Sequence, residues 1–473
     1  MERSFKNIPL RRLLWGVVAL LTLLIMVIWD SAWWLLALPL LIDFYYTRFI
    51  DWDWYKKLKN KKLRTAMTWV NDIIFCLIAF YILTVYVFQN FVIPTSSLEK
   101  TMLVGDYVVV SKLSFGPRTP NTPLAFPLAH NTMPKWLGGG KSYSDVPHWG
   151  YRRLKGFGQV KSHDLVVFNF PAGDTVCTLM PNPDYYTLCK MVGGKSIIEA
   201  QPEKFGKIVY RPVDRRDHYV KRCIGMPGDV LQIKNNQVFI NGKPDSNPKH
   251  LQFNYWVQTT QMLNPDYLKE IGISNDDVSG IDPTAVTEEA ERLGLQKISP
   301  DSYGYVYHFP LTNEMKQELS HNSAVKRITI ERDNTTGYMY PIDYPTNWTR
   351  DNYGPIYIPK RGSTIELTPF NVAVYDRCIK NYEGHSLQIK DGKVYIDGKE
   401  TKKYTFGMNY YFMMGDNRHN SADSRYWGFV PEDHIVGKPV FVWMSLDKDK
   451  GLFSGKIRWS RLFRTVSTLD NGK

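Results

Sequence analysis

Residues 413–428 read MMGDNRHNSADSRYWG. This stretch is dense in carboxylate, amide, guanidinium and hydroxyl groups, and apolar sequence flanks it on both sides. Polar groups that are buried in a folded protein need hydrogen-bond partners. The stretch therefore predicts a polar site set in an apolar surround, with Asp416 and Asn417 in a tight turn beneath it.

Two other segments carry reactive groups. Residues 94–106 read PTSSLEKTMLVGD and place two serine hydroxyls directly after a long apolar run. Residues 219–229 read YVKRCIGMPGD and place a lysine in an apolar strand that ends in a Pro-Gly-Asp turn. These two segments and residues 413–428 are the candidates for chemistry.

The chain beyond residue 94 is typical of a mainly β protein. Short runs rich in β-branched and aromatic residues alternate with turn formers such as Asn241-Gly242 and Asp397-Gly398, which predicts strands and hairpins. The predicted strands are 107–110, 165–170, 230–233, 237–240, 371–375, 393–396 and 439–443.

One internal similarity suggests an insertion. Residues 222–243 and 377–399 share Arg-Cys-Ile, Leu-Gln-Ile-Lys and a hairpin-like ending. We interpret them as two similar strand-turn-strand units, with chance similarity as the alternative. Residues 244–370 would then be an inserted subdomain that contains a helix at 282–294, and residues 116–160 form a long loop rich in Pro and Gly.

Three apolar runs precede the β-rich part, at about 13–29, 32–46 and 73–93. A spanning helix needs ~20 apolar residues, so the third run qualifies, the first is marginal, and two or three spans both remain open. Basic residues in 1–12 and 43–72 indicate cytoplasmic flanks. The alternatives are a cleaved signal peptide over 1–29 and a buried core helix over 73–93.

The composition excludes several classes of protein. With 473 residues, 44% hydrophobic and 22% charged, the chain is neither disordered, collagen-like nor a heptad repeat. Its net charge of +13 suits an anionic surface, but the basic residues form no nucleic-acid module. The five cysteines lack metal-site spacing; one Cys177–Cys189 bridge remains open. Phosphate-loop, HExxH and GxSxG motifs are absent.

Together the three segments resemble the bacterial type I signal peptidases, or leader peptidases, which are Ser/Lys endopeptidases. The resemblance covers the last apolar run and residues 94–112, 162–171, 219–243 and 411–438 in the family's order. Its most specific part is Gly-Asp-Asn-Arg followed by Asn-Ser-x-Asp-Ser-Arg-x-Trp-Gly, within 415–428.

The resemblance implies a mainly β fold in which N-terminal transmembrane helices precede an antiparallel β catalytic domain. The large inserted subdomain suggested by the internal similarity, like the loop 116–160, lies outside the family's common pattern. The implied domains are a membrane region over 1–93, a catalytic core over 94–243 (with the loop 116–160) and 371–450, the insert 244–370, and a C-terminal tail over 451–473.

The resemblance also implies roles for individual residues. Ser97 would be the nucleophile and Lys221 the general base, while the Ser97 N–H and the Thr95 hydroxyl would form the oxyanion hole. A lysine with the reference pKa of ~10.4 is protonated, and enzymes bring a lysine base to about 7–8 by burial. The apolar neighbours of Lys221 suit that requirement.

Further residues would support the pair or bind the substrate. Ser421 would hydrogen-bond the Lys221 amine, and Asp423 and Arg425 would form an ion pair beside it. An extended substrate would add as a β-strand between 93–97 and 217–221, with small pockets for an A-x-A-like cleavage site. The supporting set is Ser421, Asp423, Arg425 and Arg222, and the substrate-binding set is Ile93, Pro94, Leu98, Met102, Tyr219 and Val220.

The sequence departs from the family pattern in two places. After the nucleophile the family has Met-x-Pro-Thr-Leu, whereas residues 98–102 read LEKTM; the proline is lost and Thr101 is kept. The Glu99-Lys100 pair would then alter what lies C-terminal to the cut. His419 replaces an acidic residue.

The expected partners are the signal peptides of secretory preproteins and the lipid bilayer, without nucleic acid, metal or cofactor. The expected location is the cytoplasmic membrane, which the chain crosses more than once, with the catalytic domain on the extracytoplasmic side. One alternative is an inactive membrane-anchored scaffold. A second is a self-cleaving repressor-type peptidase, which would need a DNA-binding head. A third is a reticulum-type enzyme, which has His where Lys221 stands.

Overall fold

The fold is described from a computed structural model of the chain. It covers residues 8–126, 128–273, 277, 279–281, 293–300, 302–448, 450–451 and 454–472. The helix expected over 282–294 therefore lies almost entirely outside the described residues.

The described helices and strands are numbered in chain order. The α-helices are α1 (Leu10–Trp29), α2 (Leu38–Ile42), α3 (Lys61–Tyr86), α4 (Tyr185–Val192), α5 (Lys195–Glu199), α6 (Pro202–Phe205), α7 (Pro265–Glu270), α8 (Asn313–His321), α9 (Pro369–Arg377), α10 (Ser424–Trp427) and α11 (Val466–Asp470). The strands are β1 (Phe88–Val92), β2 (Asp106–Ser111), β3 (Leu165–Asn169), β4 (Thr175–Cys177), β5 (Ile208–Tyr210), β6 (His218–Gly225), β7 (Val230–Lys234), β8 (Gln237–Ile240), β9 (Lys243–Pro244), β10 (Phe253–Thr259), β11 (Ser279–Ile281), β12 (Tyr305–Leu311), β13 (Val325–Ile330), β14 (Tyr353–Tyr357), β15 (Thr364–Glu366), β16 (Leu387–Lys390), β17 (Lys393–Ile396), β18 (Lys399–Glu400), β19 (Lys403–Thr405), β20 (Tyr410–Met414), β21 (Val430–Pro431), β22 (Ile435–Ser445) and β23 (Arg464–Thr465).

The chain folds as two compact units. The first comprises residues 1–89 and 112–159, and the second comprises residues 90–111 and 160–473. Nearly all of the loop predicted over 116–160 thus folds together with the N-terminal helices.

Two helices of the first unit, α1 and α3, are long and apolar enough to cross a membrane, as judged from length and composition. The apolar window of α3 is wholly unburied, which argues against the core-helix alternative. The apolar helical stretch Ala32–Thr47 is shorter than a spanning helix.

The third predicted span, 73–93, is shifted in the structure. Helix α3 begins at Lys61, where the Asn60 side chain accepts hydrogen bonds from the next backbone N–H groups, and it ends at Tyr86. Residues Phe88–Val92 are β1, with alternating exposed and half-buried positions. The uncharged run 73–93 therefore contains both the end of α3 and the strand β1. Because β1 pairs with the main sheet, its successive side chains point to opposite faces and their exposure alternates.

The main sheet of the second unit has eight strands in the order β1-β2-β22-β3-β6-β20-β21, with β23 paired to β22. The pairings from β2 to β21 are antiparallel. This architecture, preceded by apolar N-terminal helices, confirms the predicted fold class.

A second sheet lies within the predicted insert. Its order is β11-β12-β10-β13, and β10 pairs antiparallel with both β12 and β13. Its own apolar core includes Val257, Phe309 and Leu319. Because burial of apolar surface is the main favourable term in folding, this region has a source of stability of its own.

The structure corrects one predicted strand. Residues 371–375 lie in helix α9, because Thr368 caps its N-terminus by accepting a hydrogen bond from the Asn371 N–H, and Pro369 is tolerated in the first turn. The two similar segments, 222–243 and 377–399, have the same structure only in their hairpins, β7–β8 and β16–β17. Arg222 lies in a strand, whereas Arg377 ends a helix.

Candidate active site

The structure brings the predicted nucleophile and base together. Ser97 lies in the one-turn 3₁₀ helix Ser96–Leu98 that follows β1, and Lys221 lies within β6. The Lys221 Nζ donates a hydrogen bond of 2.5 Å to the Ser97 Oγ. Both residues are 5% exposed, so a serine hydroxyl and a lysine amine are in direct contact away from bulk water.

Burial lowers the pKa of Lys221 to about 8. The desolvated amine favours its neutral form, and the positive charge of Arg425 acts in the same direction. The carboxylates of Asp423 and Asp416 act in the opposite direction. At pH 7, about a tenth of this amine is therefore neutral and able to accept a proton.

A buried ion pair lies beside the lysine. Arg425 donates through Nε and Nη2 to the two carboxylate oxygens of Asp423, each at 2.8 Å. The Gly415 N–H donates to the same carboxylate at 3.1 Å. Although burial alone would raise it, Arg425 holds the pKa of Asp423 below its ordinary value, so a paired carboxylate forms one wall of the site.

The polar stretch 413–428 supports the nucleophile turn. The Asn417 N–H donates to the Ser97 carbonyl at 3.1 Å, and the Asn417 side chain donates to the Ser96 carbonyl at 3.4 Å. At Gly415, a Cβ atom would collide with the Ser421 side chain and the Ser97 carbonyl. Only glycine allows the two segments to approach so closely.

Arg222 organises the underside of the site. Its guanidinium donates to both oxygens of Asp416, at 2.8 and 2.6 Å, and to both oxygens of Asp470, at 3.1 and 2.6 Å. Asp470 ends α11, a segment that the sequence analysis treated as a tail. The apolar residues Val466 and Leu469, three positions apart and both buried, were the signal that this segment packs onto the core.

The Ser421 hydroxyl does not make the predicted bond to Lys221. Ser421 is 5% exposed, but its Oγ has no hydrogen-bond partner among the described residues. The Lys221 Nζ donates to the Ser97 Oγ instead. A role for Ser421 in orienting the lysine remains a prediction.

A cleft of about 580 Å³ opens beside the Ser–Lys pair. Five of the six predicted substrate-binding residues line it, namely Ile93, Pro94, Met102, Tyr219 and Val220, as do Thr95, Ser97 and Lys221. A second wall, which could not be predicted from the sequence, is formed by residues from 170–184, including Phe170, Ala172, Pro181 and Asp184. This wall is distant in sequence and carries no motif.

Leu98, the sixth predicted residue, does not line the cleft. It is 1% exposed and packs in a cluster with Val108, Leu165 and Val442. Its side chain points into the core, because the 3₁₀ turn presents Ser97 to the cleft and the following residue to the sheet. Leu98 is therefore a core residue.

Replacing Leu98 with alanine is expected to lower the free energy of unfolding by about 2–5 kcal/mol, the usual cost of truncating a buried leucine. Urea unfolding of the full chain in detergent measures this change. The control is Ile389→Ala, which truncates an aliphatic side chain that is 60% exposed and should change stability by at most about 0.5 kcal/mol. Wild-type stability in Leu98→Ala with an altered KM would instead make Leu98 a substrate contact.

The loop that lacks the family's proline is held by other contacts. The Thr101 Oγ1 donates to Asp416 at 3.3 Å. Lys100, at φ 72°, donates to the Gly272 carbonyl at 2.5 Å, and Gly272 belongs to the predicted insert. Burial raises the pKa of Glu99 to about 7. Tertiary contacts thus supply the rigidity that a proline would supply locally.

His419 shows why an acidic residue is not needed at its position. Its ring accepts a hydrogen bond of 3.2 Å from the Asn254 N–H through Nδ1, and its Nε2 lies 3.0 Å from Asp351. Asn254 and Asp351 both belong to the segment 244–370, as does Glu331, whose carboxylate is 3.6 Å from the ring. The insert therefore supplies the carboxylates that surround the histidine at this position.

The cysteines and candidate metal ligands define no further centre. All five cysteines are free thiols; Cys177 and Cys189 lie in one apolar cluster without a bridge between them. In the part of the chain that the structure describes, no three His, Cys, Asp or Glu residues are grouped so as to hold a metal ion.

A buried serine in contact with a lysine of lowered pKa, at the mouth of an apolar cleft, is the arrangement of a serine-class hydrolase. Residues 66–268 and 399–444 match the family described as "Signal peptidase, peptidase S26", which is just over half of the chain. The chain therefore belongs to this family and is a serine endopeptidase. Residues 269–398 lie outside the match.

Named relatives agree with the family. The chain is 23% identical over 387 residues to signal peptidase I of Buchnera aphidicola subsp. Acyrthosiphon pisum, a match that covers 81% of this chain and 77% of the relative. It is 38% identical to signal peptidase I of Haemophilus influenzae over 89 residues, covering 17% of this chain and 26% of the relative. The corresponding match in Aquifex aeolicus is 54% identical over 43 residues, covering 9% and 17%.

Proposed function

We propose that this chain removes N-terminal signal peptides from secretory preproteins, with Ser97 as the nucleophile and Lys221 as the general base. The observation that carries the proposal is the 2.5 Å contact between the Ser97 Oγ and the Lys221 Nζ. The names of the relatives, signal peptidase I, support the substrate class.

In the proposed reaction, the neutral Lys221 amine takes the Ser97 proton as the oxygen attacks the carbonyl carbon of the scissile bond. The lysine then gives that proton to the leaving amine, which leaves an acyl-enzyme on Ser97. The Lys221 amine, neutral again, next takes a proton from a water molecule as the water oxygen attacks the acyl carbon. This step releases the signal peptide and restores Ser97 and Lys221. The lowered pKa of Lys221 allows it to act as base and acid in turn.

The oxyanion of the tetrahedral intermediate would be stabilised by the Ser97 N–H and the Thr95 hydroxyl. Thr95 precedes the nucleophile turn, its hydroxyl does not cap that turn, and it lines the same cleft as Ser97. Loss of one such donor typically costs about 10²–10³ in kcat.

The substrate would bind as an added β-strand. Strand β6 pairs with β3 on one side over residues 218–222, whereas its other partner, β20, pairs only from Arg222 onward. The part of β6 before Arg222, which β20 does not pair with, and the segment 93–97 both line the cleft. Backbone pairing supplies affinity in such a mode, and side-chain pockets supply specificity.

Membrane attachment is part of the proposal. Helices α1 and α3 would cross the cytoplasmic membrane, and the shorter apolar stretch Ala32–Thr47 would return the chain between them, so that the basic segments before α1 and between α2 and α3 both lie on the cytoplasmic side. The catalytic unit, which follows α3 in the chain, would then be extracytoplasmic, and the lipid bilayer would be a second partner. The inactive-scaffold alternative is not supported, because the chain is a peptidase and its two reactive groups are in contact.

Cleavage of a purified precursor with an Ala-x-Ala site, in detergent and between pH 6 and 10, tests this function. We expect one cut after the second alanine, with kcat/KM rising through a midpoint near 8, the pKa of Lys221. The sign follows from the mechanism: protonation removes the base, so activity falls about tenfold per pH unit below the midpoint.

The control precursor carries phenylalanine in place of the alanine at the cut and should remain intact, since the pockets are expected to take small side chains. A folded wild-type chain that leaves the Ala-x-Ala precursor uncut would refute the proposed function. A rate that keeps rising up to pH 10 would refute Lys221 as the base.

A further inference from the structure

The first unit contains an irregular hairpin whose described residues are 113–126 and 128–157. Its two arms run antiparallel, and its turn contains the short 3₁₀ helix Lys135–Leu137. Backbone hydrogen bonds join the arms from base to turn, with Phe157 N to Leu113 O at 2.9 Å, Thr119 N to Arg152 O at 3.0 Å, Trp149 N to Asn121 O at 2.8 Å, Ser144 N to Leu124 O at 2.9 Å, Phe126 N to Ser142 O at 2.7 Å and Met133 N to Gly140 O at 2.8 Å.

The base of this irregular hairpin is attached to the ends of the apolar helices. Arg152 forms an ion pair with Asp30, which follows α1 directly and whose side chain is only 5% exposed. The Trp29 indole N–H donates to the Lys155 carbonyl at 2.8 Å. The Tyr86 hydroxyl, at the end of α3, donates to the same Asp30 at 2.9 Å. The ends of α1 and α3 and the hairpin base therefore lie at one level.

The next attachment sets the direction of the hairpin. Farther from the base, the Pro123 carbonyl accepts a hydrogen bond of 2.7 Å from the Tyr81 hydroxyl. Tyr81 precedes the end of α3 by five residues, which is about 7.5 Å along a helix. The arm of the hairpin that reaches Pro123 thus runs back alongside the last turns of α3.

That distal part, residues 123–147, exposes apolar side chains. Leu124 is 60% exposed, Trp136 is 82% exposed and Val146 is 75% exposed. Only Lys135, Lys141 and Asp145 carry formal charge there, and the last two pair with each other at 2.7 Å. Lys135 adjoins Trp136 in the turn, and tryptophan and lysine are both suited to the boundary between headgroups and hydrocarbon.

We propose that the distal part of this hairpin, residues 123–147, inserts into the outer leaflet of the membrane beside α3, where lipid acyl chains cover its apolar side chains. The proposal rests on the membrane anchoring proposed above. Its attachment along an apolar helix, its low charge and its exposed tryptophan favour lipid over a protein partner. Interfacial elements of this kind bury their apolar face about 5–10 Å deep.

Site-directed spin labelling of the full chain in phospholipid vesicles tests the insertion. Cysteine replaces Leu124 or Trp136 in a Cys76→Ser, Cys189→Ser background, in which the remaining cysteines are buried. For a label at Leu124 or Trp136, we compare the rate of collision with oxygen to the rate of collision with a water-soluble nickel complex. We expect this ratio to be several-fold higher than for a label at Lys402→Cys, an exposed position of the second unit. Retained precursor cleavage shows that each variant is folded.

A label at Ile78→Cys, an exposed position within α3, separates the two proposals. If Ile78 reports hydrocarbon while Leu124 and Trp136 report water, the insertion is refuted and the membrane anchoring stands. If Leu124 and Trp136 are shielded from both collision partners, a protein contact covers the hairpin and the lipid proposal is again refuted. If Ile78 also reports water, the anchoring itself fails.

Discussion

Replacement of Ser97 by alanine is expected to abolish cleavage of a secretory precursor, with a loss in kcat on the order of 10⁴–10⁶. The change removes the oxygen that would form the acyl-enzyme, and no other described hydroxyl is hydrogen-bonded to Lys221. The fold should survive, because the alanine is smaller and the Ser97 carbonyl that receives the Asn417 N–H is retained. Cleavage of the purified precursor, followed by mass spectrometry of the products, measures the effect.

Ser96→Ala is the matched control for this variant. Ser96 lies in the same 3₁₀ turn, but it contacts Asn417 through its backbone carbonyl and not through its hydroxyl. Ser96→Ala should therefore retain activity within a few-fold of wild type. Wild-type cleavage by Ser97→Ala would show that another group is the nucleophile.

Replacement of Lys221 by methionine is the second change with a large expected effect. Methionine keeps much of the side-chain length and loses the base, so kcat should fall by at least about 10³-fold. Lys221→Arg should fall as far, because arginine stays protonated across the accessible pH range. Residual activity in both variants should lose the midpoint near pH 8 that the pKa of Lys221 sets in the wild type.

The control for these variants is Lys234→Met, at an exposed end of β7, the next strand in the chain, which should cleave like wild type. Urea unfolding distinguishes loss of function from loss of fold: burial disfavours the charged amine, so Lys221→Met should be at least as stable as wild type near pH 7. A Lys221→Met variant that retained both activity and the midpoint near pH 8 would assign the base to another residue.

The buried network around the pair explains how much of the site could be predicted. Polar residues that stand next to apolar sequence can be recognised without a structure, because their local surroundings do not suit them. This is true of Ser97, Lys221, Asp423 and Arg425. In the structure Lys221 contacts Ser97, and Arg425 pairs with Asp423. The Ser421 bond to Lys221 was also expected, but the direction of a short hydroxyl depends on side-chain geometry that the pattern does not contain.

The mainly β class, the apolar N-terminal helices and the segments that carry the reactive groups can all be predicted from the sequence, because each depends on local composition and period. The assembled fold was needed to show that Leu98 faces the core, that α3 ends at Tyr86, and that residues 371–375 are helical. It also decided that Asp470, Gly272 and Asp351 reach the catalytic segments. These contacts join residues far apart in the chain, and their energy comes from burial and pairing that exist only once the sheets have assembled.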